Sequence, residues 1–129
     1  MSRNYEAIRE HYAGNDRGDL DAMLAPVTGQ TVWREMEGSA YPGTYVGRGD
    51  IIAGVFQKIG TDWENYRFTL DRLIDGGDTI VAIGTYSGTF KKTGKAMSAR
   101  VVHVWDMEDG HAARFEQFAD TRMMEKATR

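Results

Sequence analysis

Glu35 is the residue whose type and position best suit proton-transfer chemistry. It follows Trp33 by two residues on a predicted strand, so the two side chains point to the same face. A carboxyl group held against aromatic rings and away from water has a raised pKa, which a general acid or base near neutrality requires. The alternatives are a structural ion pair with Arg34 or Arg100, or exposure at the mouth of a pocket.

His103 and Gln117 form a second candidate group, because both interrupt otherwise apolar strand faces. A buried glutamine amide must be hydrogen-bonded, and an imidazole is a suitable partner. The pair could orient a carbonyl or hydroxyl group of a substrate, or it could lock the interior without any ligand. Both interpretations are open at this point.

The walls of a pocket around these groups would come from large aromatic side chains. Such side chains serve the core first and contact ligands second, so we expect about half of them to line a cavity. The candidates are Trp33, Tyr45, Trp63, Trp105 and Phe115.

The composition of the 129-residue chain argues against several classes of function. It has no cysteine, so a disulfide framework or a thiolate metal site is not available, and its three histidines lack the spacing of a metal site. A net charge of -3 without a basic cluster argues against nucleic acid as a partner. No stretch is long and apolar enough to cross a membrane, and the first residues do not resemble a secretory signal. We therefore expect a cytoplasmic protein without a metal or a cofactor.

Four helices are predicted, each with an acidic or hydroxyl side chain as its N-terminal cap. They cover residues 3 to 14, 20 to 24, 50 to 59 and 121 to 126. Their caps are Ser2, Asp19, Asp50 and Asp120, and Gly60 would follow the end of the third helix.

The remaining segments alternate apolar and polar residues with the period of strands. One strand is predicted over residues 31 to 36, followed by a glycine-punctuated loop over 37 to 49. From residue 66 onward, four strand segments are separated by turns at 75 to 78, 91 to 95 and 108 to 110. This order predicts an α+β fold in one domain over residues 1 to 129, with helices covering one face of an antiparallel sheet.

The turns determine which side chains face the interior, because a slip of one residue inverts every position of a strand. We predict a two-residue turn at 76 to 77 and three-residue loops at 92 to 94 and 108 to 110. With these turns one face of the sheet collects Tyr66, Phe68, Leu70, Val81, Ile83, Val101, His103, Trp105, Phe115 and Gln117.

The last turn has an alternative, a two-residue turn at Asp109 and Gly110. That turn would place His103 on the face opposite to Phe115, so we prefer the longer loop. His103 and Gln117 then lie on adjacent strands with an offset of two positions, within reach of each other.

The other face of the sheet is half apolar. It carries Val102, Val104, Tyr86 and Phe118 among charged residues. A half-apolar outer face indicates partial cover by another subunit, so we predict a homodimer.

Taken together, these segments resemble the nuclear transport factor 2-like superfamily, within it the SnoaL-like and ketosteroid-isomerase-related branch. The resemblance covers nearly the whole chain, through the segments YEAIREHYAGNDRGDLDAML, VWREMEGSAYPGTYVGRGDIIAGVF, DGGDTIVAIGTYSGTFKKTG and HVWDMEDGHAARFEQFADT. It implies a cone-shaped α+β barrel, usually dimeric, with an internal pocket between the concave face of the sheet and the helices. Members include isomerases, cyclases, dehydratases, hydrolases and non-catalytic modules, so the fold alone does not fix the function.

The resemblance also implies roles for individual positions. In SnoaL-like cyclases the base is an aspartate on the last strand, paired with a histidine on the preceding strand; His103 matches the histidine, but Gln117 stands at the aspartate position and cannot take a proton. In ketosteroid isomerases the base is a carboxylate on the first strand, which Glu35 matches. Alignment of the first helices puts His11 where those enzymes have a tyrosine donor, with Tyr12 next to it, so both are further candidate ligand contacts.

Two functions follow from these residues. The first is a cofactor-free isomerase, cyclase or hydrolase acting on a compact hydrophobic carbonyl or hydroxyl compound. In it Glu35 would be the acid or base, while His103 and Gln117 hold the oxygen of the substrate. The second is a non-catalytic ligand-binding or dimerisation module, which the glutamine at position 117 favours. Whether the chain is an enzyme is open on the sequence alone.

Overall fold

The structure of the protein is a computed structural model that describes residues 2–129. Its elements in chain order are α1 (Arg3–Asp16), α2 (Leu20–Leu24), β1 (Val27–Glu35), β2 (Gly43–Val46), α3 (Gly47–Ile51), a π-helical turn (Ile52–Phe56), α4 (Gln57–Asp62), β3 (Trp63–Asp75), β4 (Thr79–Phe90), β5 (Ala96–Glu108), β6 (His111–Ala119) and α5 (Thr121–Ala127).

Three helices begin at the side-chain caps predicted from the sequence. The hydroxyl of Ser2 accepts from the third backbone N–H after it at 3.1 Å, and so does the carboxylate of Asp19. Asp120 accepts from Met123 N at 3.2 Å and starts α5. These caps satisfy backbone groups that the first turn of a helix leaves unpaired.

The third predicted helix differs from the structure at both ends. Helical backbone runs from Gly47 to Asp62 through the π-helical turn, so Asp50 lies inside α3 and Gly60 inside α4. The first residue of α3, Gly47, must be a glycine, because its φ is +83° and a Cβ there would lie 2.8 Å from the carbonyl oxygen of Gly29. This contact is long-range, and a local capping pattern does not contain it.

The sheet has six strands in the order β2-β1-β6-β5-β4-β3. Strand β2 was missed, because it lies within the segment predicted as a loop, and it pairs with β1 as a short antiparallel edge. All pairs are antiparallel except β1 with β6, which is parallel. The α+β class and the packing of the N-terminal helices on a curved sheet are confirmed; within residues 2–129 the edge strands β2 and β3 do not pair, so the sheet is not closed.

Strand β4 faces the opposite way from the prediction. The β4–β5 loop covers four residues, 91 to 94, because Phe90 N donates to Lys95 O and Thr89 pairs with Ala96, so it is one residue longer than predicted. On the β3 side the turn is centred on Gly77 and Asp78, and a register shift between Leu70 and Arg72 changes the pairing with β4 by one further residue. The slip inverts the strand. Its buried side chains are Ile80, Ala82 and Tyr86, whereas Val81 and Ile83 are half-buried on the other face.

The β5–β6 turn is the two-residue alternative that the sequence analysis set aside. Asp109 and Gly110 both have positive φ, 49° and 80°, as a type I′ turn requires. A β-bulge between Asp106 and Met107 then shifts the register, which restores the orientation of the following pairs. His103 and Gln117 therefore share the inner face as predicted, but they are directly opposite each other instead of offset by two positions.

The outer face of the sheet remains partly apolar. Phe118 is 44% exposed, and Val102 and Val104 are half-buried. Tyr86, predicted on this face, is instead inside. The homodimer stays a prediction. None of the helices in residues 2–129 is both long and apolar enough to span a bilayer.

Gly84 is a position where packing excludes any side chain. A Cβ at this position would lie 2.3 Å from the carbonyl oxygen of Thr69 and 2.6 Å from the ring of Phe68. We expect Gly84→Ala to lower the free energy of unfolding by about 1–3 kcal/mol, because β3 or the Phe68 ring must move. Urea denaturation measures this change.

The matched control is Gly60→Ala in α4. A Cβ there meets open space, and alanine favours helix more than glycine does, so this variant should be as stable as the parent protein or slightly more stable. Equal losses in both variants would contradict the packing argument.

Candidate functional site

A cavity of about 250 Å³ lies between the inner face of the sheet, α1 and the helical segment that contains the π-helical turn. Its size is near the lower limit for sites that hold small organic ligands. Its lining consists of His11, Tyr12, Asn15, Gly18, Met23, Trp33, Glu35, Val55, Phe56, Ile59, Tyr66, Phe68, Tyr86, His103 and Phe115.

The structure brings most of the predicted site residues to this cavity. The predicted residues in its lining are Glu35, His103, Trp33, Phe115, Tyr12 and His11. Gln117 is not in the lining, but its side-chain amide donates a hydrogen bond to the carboxyl group of Glu35, which is in the lining. Their roles in catalysis or ligand binding stay predictions.

Three predicted wall residues lie outside the cavity. Trp105 is fully buried and supports the wall, because its Nε1 donates to the hydroxyl of Tyr12 at 3.0 Å. Trp63 packs against Phe90 at 5.0 Å between ring centres, at the far end of β3. The ring of Tyr45 covers Gly54, and its hydroxyl donates to a backbone carbonyl 3.0 Å away.

Strand pairing places Glu35 at the centre of a hydrogen-bonded group. Glu35 is the last residue of β1 and lies beside Gln117 in the parallel β1–β6 pair. Its Oε2 accepts from Trp33 Nε1 at 3.0 Å, and its Oε1 accepts from Gln117 Nε2 at 3.1 Å. The amide of Gln117 is itself held in this orientation, because its oxygen accepts from Met36 N at 3.3 Å.

The ion-pair alternative for Glu35 does not hold within residues 2–129. Arg34 pairs with Glu37, and Arg100 pairs with Asp71, all on the outside of the protein. Glu35 is only 5% exposed.

Burial raises the pKa of Glu35 from 4.5 to about 8, and the hydrogen bond from Trp33 opposes this rise only in part. At neutral pH the carboxyl group is therefore mostly protonated. Its basic form becomes the major form about one pH unit higher, so the group can both donate and accept a proton near neutrality.

His103 is bonded through both ring nitrogens to tyrosine hydroxyls. Nδ1 lies 2.6 Å from the hydroxyl of Tyr12, and Nε2 lies 2.6 Å from that of Tyr86. Burial lowers the pKa of His103 well below 6.5, so the ring is neutral. The predicted contact with Gln117 does not form, since the Gln117 amide nitrogen bonds to Glu35 instead.

The tautomer of His11 follows from its partner. Nδ1 lies 2.6 Å from the carbonyl oxygen of Met23, and a carbonyl can only accept, so Nδ1 carries the hydrogen. Burial lowers the pKa of His11 to about 4, which keeps the ring neutral. Its Nε2 is therefore a hydrogen-bond acceptor, and no hydrogen bond within residues 2–129 uses it.

Tyr86 and Tyr66 are the site residues that the sequence analysis missed. Tyr86 was predicted on the outer face, and a four-residue loop over 91 to 94 in place of the predicted three-residue loop would have put it on the inner face with His103. Tyr66 was placed on the inner face but given no role. Its pKa is raised well above 10 by burial and, to a lesser degree, by the nearby Glu35.

The lining as a whole offers proton transfer without a strong positive charge. It combines one carboxyl group, three tyrosines and two neutral histidines with aliphatic and aromatic walls, and it contains no lysine or arginine among the described residues. Such a cavity suits a compact, largely apolar molecule that carries oxygen atoms.

Comparisons with known proteins agree with this architecture. A family model described as SnoaL-like domain matches residues 8–115. A solved structure of an NTF2-like protein from Burkholderia thailandensis is 41% identical with a TM-score of 0.96, and the match covers 100% of this chain and 99% of that chain. An NTF2-like protein of unknown function from Burkholderia pseudomallei is 32% identical with a TM-score of 0.89, covering 98% of both chains.

A third solved structure is that of TerC co-crystallised with polyporic acid. It is 31% identical to this chain with a TM-score of 0.85, and the match covers 98% of both chains. No curated protein matches the sequence.

Proposed function

Because this chain belongs to the SnoaL-like domain family, we propose that it binds a compact hydrophobic carbonyl or hydroxyl compound and catalyses proton transfer on it without a cofactor. The observation that carries the proposal is Glu35: a carboxyl group on the wall of an apolar cavity, held by two hydrogen bonds and 5% exposed. The similarity to TerC, whose structure contains polyporic acid, supports an aromatic oxygenated ligand.

In the proposed reaction Glu35 removes a proton from the carbon next to a carbonyl group and returns it to another position. A hydrogen bond from a tyrosine hydroxyl to the carbonyl oxygen stabilises the negative charge that develops there. Gln117 and Trp33 fix the direction of the carboxyl group, so its oxygen is already oriented before the ligand arrives. Both ring nitrogens of His103 are used by tyrosine hydroxyls, so His103 contributes through the two tyrosines that it bonds.

Hydrogen exchange on a simple ketone tests this proposal without knowledge of the natural substrate. 1-Tetralone is a bicyclic ketone with exchangeable hydrogens next to its carbonyl, and tetralin has the same shape without the oxygen. In D₂O at pH 8 the protein should accelerate deuterium incorporation into 1-tetralone, as followed by NMR. If the ketone is present at a concentration that saturates the protein and the exchange rate still equals that in buffer alone, acid–base catalysis is contradicted.

The non-catalytic alternative is favoured by two observations. Both nitrogens of His103 are already satisfied by protein groups, and residue 117 is a glutamine that cannot take a proton. In that case 1-tetralone would raise the melting temperature of the protein, yet no exchange would accompany binding.

A further inference from the structure

A continuous row of hydrogen-bonding groups connects α1 with the inner face of the sheet. Trp105 Nε1 donates to the hydroxyl of Tyr12 at 3.0 Å, and that hydroxyl and the one of Tyr86 flank the ring of His103 at 2.6 Å each. All four side chains are more than nine-tenths buried. Tyr12, His103 and Tyr86 also line the cavity.

The hydrogens in this row can be counted. An indole N–H only donates, so Trp105 always uses one acceptor position of the Tyr12 oxygen. A neutral imidazole carries one hydrogen, so one nitrogen donates and the other accepts. His103 therefore donates to one tyrosine and accepts from the other, and only two arrangements are possible.

In the first arrangement the hydrogen of His103 is on Nδ1. It points to the Tyr12 oxygen, while Tyr86 gives its own hydrogen to Nε2. The hydroxyl hydrogen of Tyr12 then has no partner in the row, and because Tyr12 lines the cavity, it is available to a ligand there.

In the second arrangement the hydrogen of His103 is on Nε2, and the roles are exchanged. Tyr12 gives its hydrogen to Nδ1, and the hydroxyl hydrogen of Tyr86 is the free one.

We propose that this network offers the ligand one phenolic hydrogen at a time, and that the tautomer of His103 determines whether Tyr12 or Tyr86 supplies it. His103 is then a positioning residue. The ligand that fits is one that brings an oxygen acceptor, such as a ketone or quinone oxygen, to the tyrosine pair. This part of the inference rests on the proposed function, whereas the coupling between tautomer and tyrosines does not.

Conversion of the first arrangement into the second conserves hydrogens. The Tyr86 hydrogen moves to Nε2 and the Nδ1 hydrogen moves to the Tyr12 oxygen, while the former Tyr12 hydrogen passes to an oxygen of the ligand or of water. A hydrogen from the ligand or from water completes the Tyr86 hydroxyl. A hydroxyl-bearing ligand or water is the only co-reactant that this exchange requires.

Substitution of each tyrosine by phenylalanine should lock His103 in a different tautomer. In Tyr12→Phe the hydrogen should reside on Nε2, where Tyr86 still accepts it, because a buried N–H without a partner costs more than an unused lone pair. In Tyr86→Phe it should reside on Nδ1, facing Tyr12. Nitrogen-15 NMR of the labelled, ligand-free proteins identifies the protonated nitrogen directly. Tyr66→Phe, which removes a hydroxyl of the same cavity outside the row, should leave the tautomer unchanged.

Ligand binding supplies a second readout. Each single variant keeps one free phenolic hydrogen, so the preference for 1-tetralone over tetralin, expected to be about tenfold, should persist in both. In the Tyr12→Phe/Tyr86→Phe double variant the preference should largely disappear. If the two tyrosines acted independently, each single variant would instead lose part of the preference for 1-tetralone.

The same tautomer in both single variants would overturn the inference, and so would a doubly protonated His103 ring in the unmodified protein at pH 7. The protonation state of His103 is measured on the unmodified protein, so this test does not depend on whether a variant folds. If neither 1-tetralone nor tetralin binds, the proposed function loses its support, while the tautomer measurement still decides the hydrogen-bond network.

Discussion

Replacing Glu35 with glutamine should lower the rate of deuterium exchange into bound 1-tetralone by about 100- to 10,000-fold, the range that a general base contributes. Glutamine has the same shape and can still accept the hydrogen bond from Trp33, but it cannot take a proton. Binding of the ketone, measured as a shift in melting temperature, should change much less than the exchange rate.

Glu64→Gln is the matched control for this experiment. Glu64 is an exposed glutamate on β3 that is not part of the cavity lining, so the same chemical change occurs outside the cavity, and exchange should proceed at the parent rate. Undiminished exchange in Glu35→Gln would assign the base to another residue.

The same substitution should change how stability depends on pH. The pKa of Glu35 is about 8 in the folded protein and 4.5 as a free side chain. As pH rises from 4.5 toward 8, the unfolded chain ionises at this position while the folded protein stays protonated, so Glu35 favours unfolding progressively more. Between pH 5 and pH 8 the unfolding free energy of Glu35→Gln should therefore increase relative to the parent protein by roughly 3–4 kcal/mol.

The comparison must be made as a difference between the two proteins, because two histidines act in the opposite direction. Burial lowers the pKa of His11 to about 4 and that of His103 well below 6.5, so each favours unfolding as pH falls below 6.5. The parent protein should consequently have a shallow stability maximum between pH 5 and pH 8. The histidine contributions cancel in the difference, as does any constant cost of turning the new amide toward Gln117. Urea unfolding at several pH values gives this difference, and a flat result would mean that Glu35 ionises normally in the fold.

Local chemistry in the sequence predicted the helix starts that depend on a single cap. Ser2, Asp19 and Asp120 were all found because a capping side chain acts within three residues of itself. The start at Gly47 was missed, since no side chain caps it. Strand β2 was missed for a similar reason: its four residues are held by pairing with β1 and not by a pattern of their own.

The inner face of the sheet shows how well the turn residues predict the orientation of each strand. The orientation of β5 and β6 was predicted correctly through a wrong turn, because the β-bulge near Asp106 compensates for the shorter loop. On β4 the β4–β5 loop is one residue longer than predicted and the register shift between Leu70 and Arg72 agrees with it, so Tyr86 was lost from the predicted site. Glu35 was identified through its spacing from Trp33, a relation that depends only on one strand.

The parallel pairing of β1 with β6 has a consequence for how the protein is made. Glu35 and the Gln117 amide that orients it are 82 positions apart, and β6 leaves the ribosome after the other five strands of this sheet. A nascent chain that lacks this strand carries Glu35 as an ordinary hydrated carboxylate, ionised in the cell. The raised pKa of this side chain therefore arises only after all strands of the sheet have been translated, so a partly synthesised polypeptide lacks it.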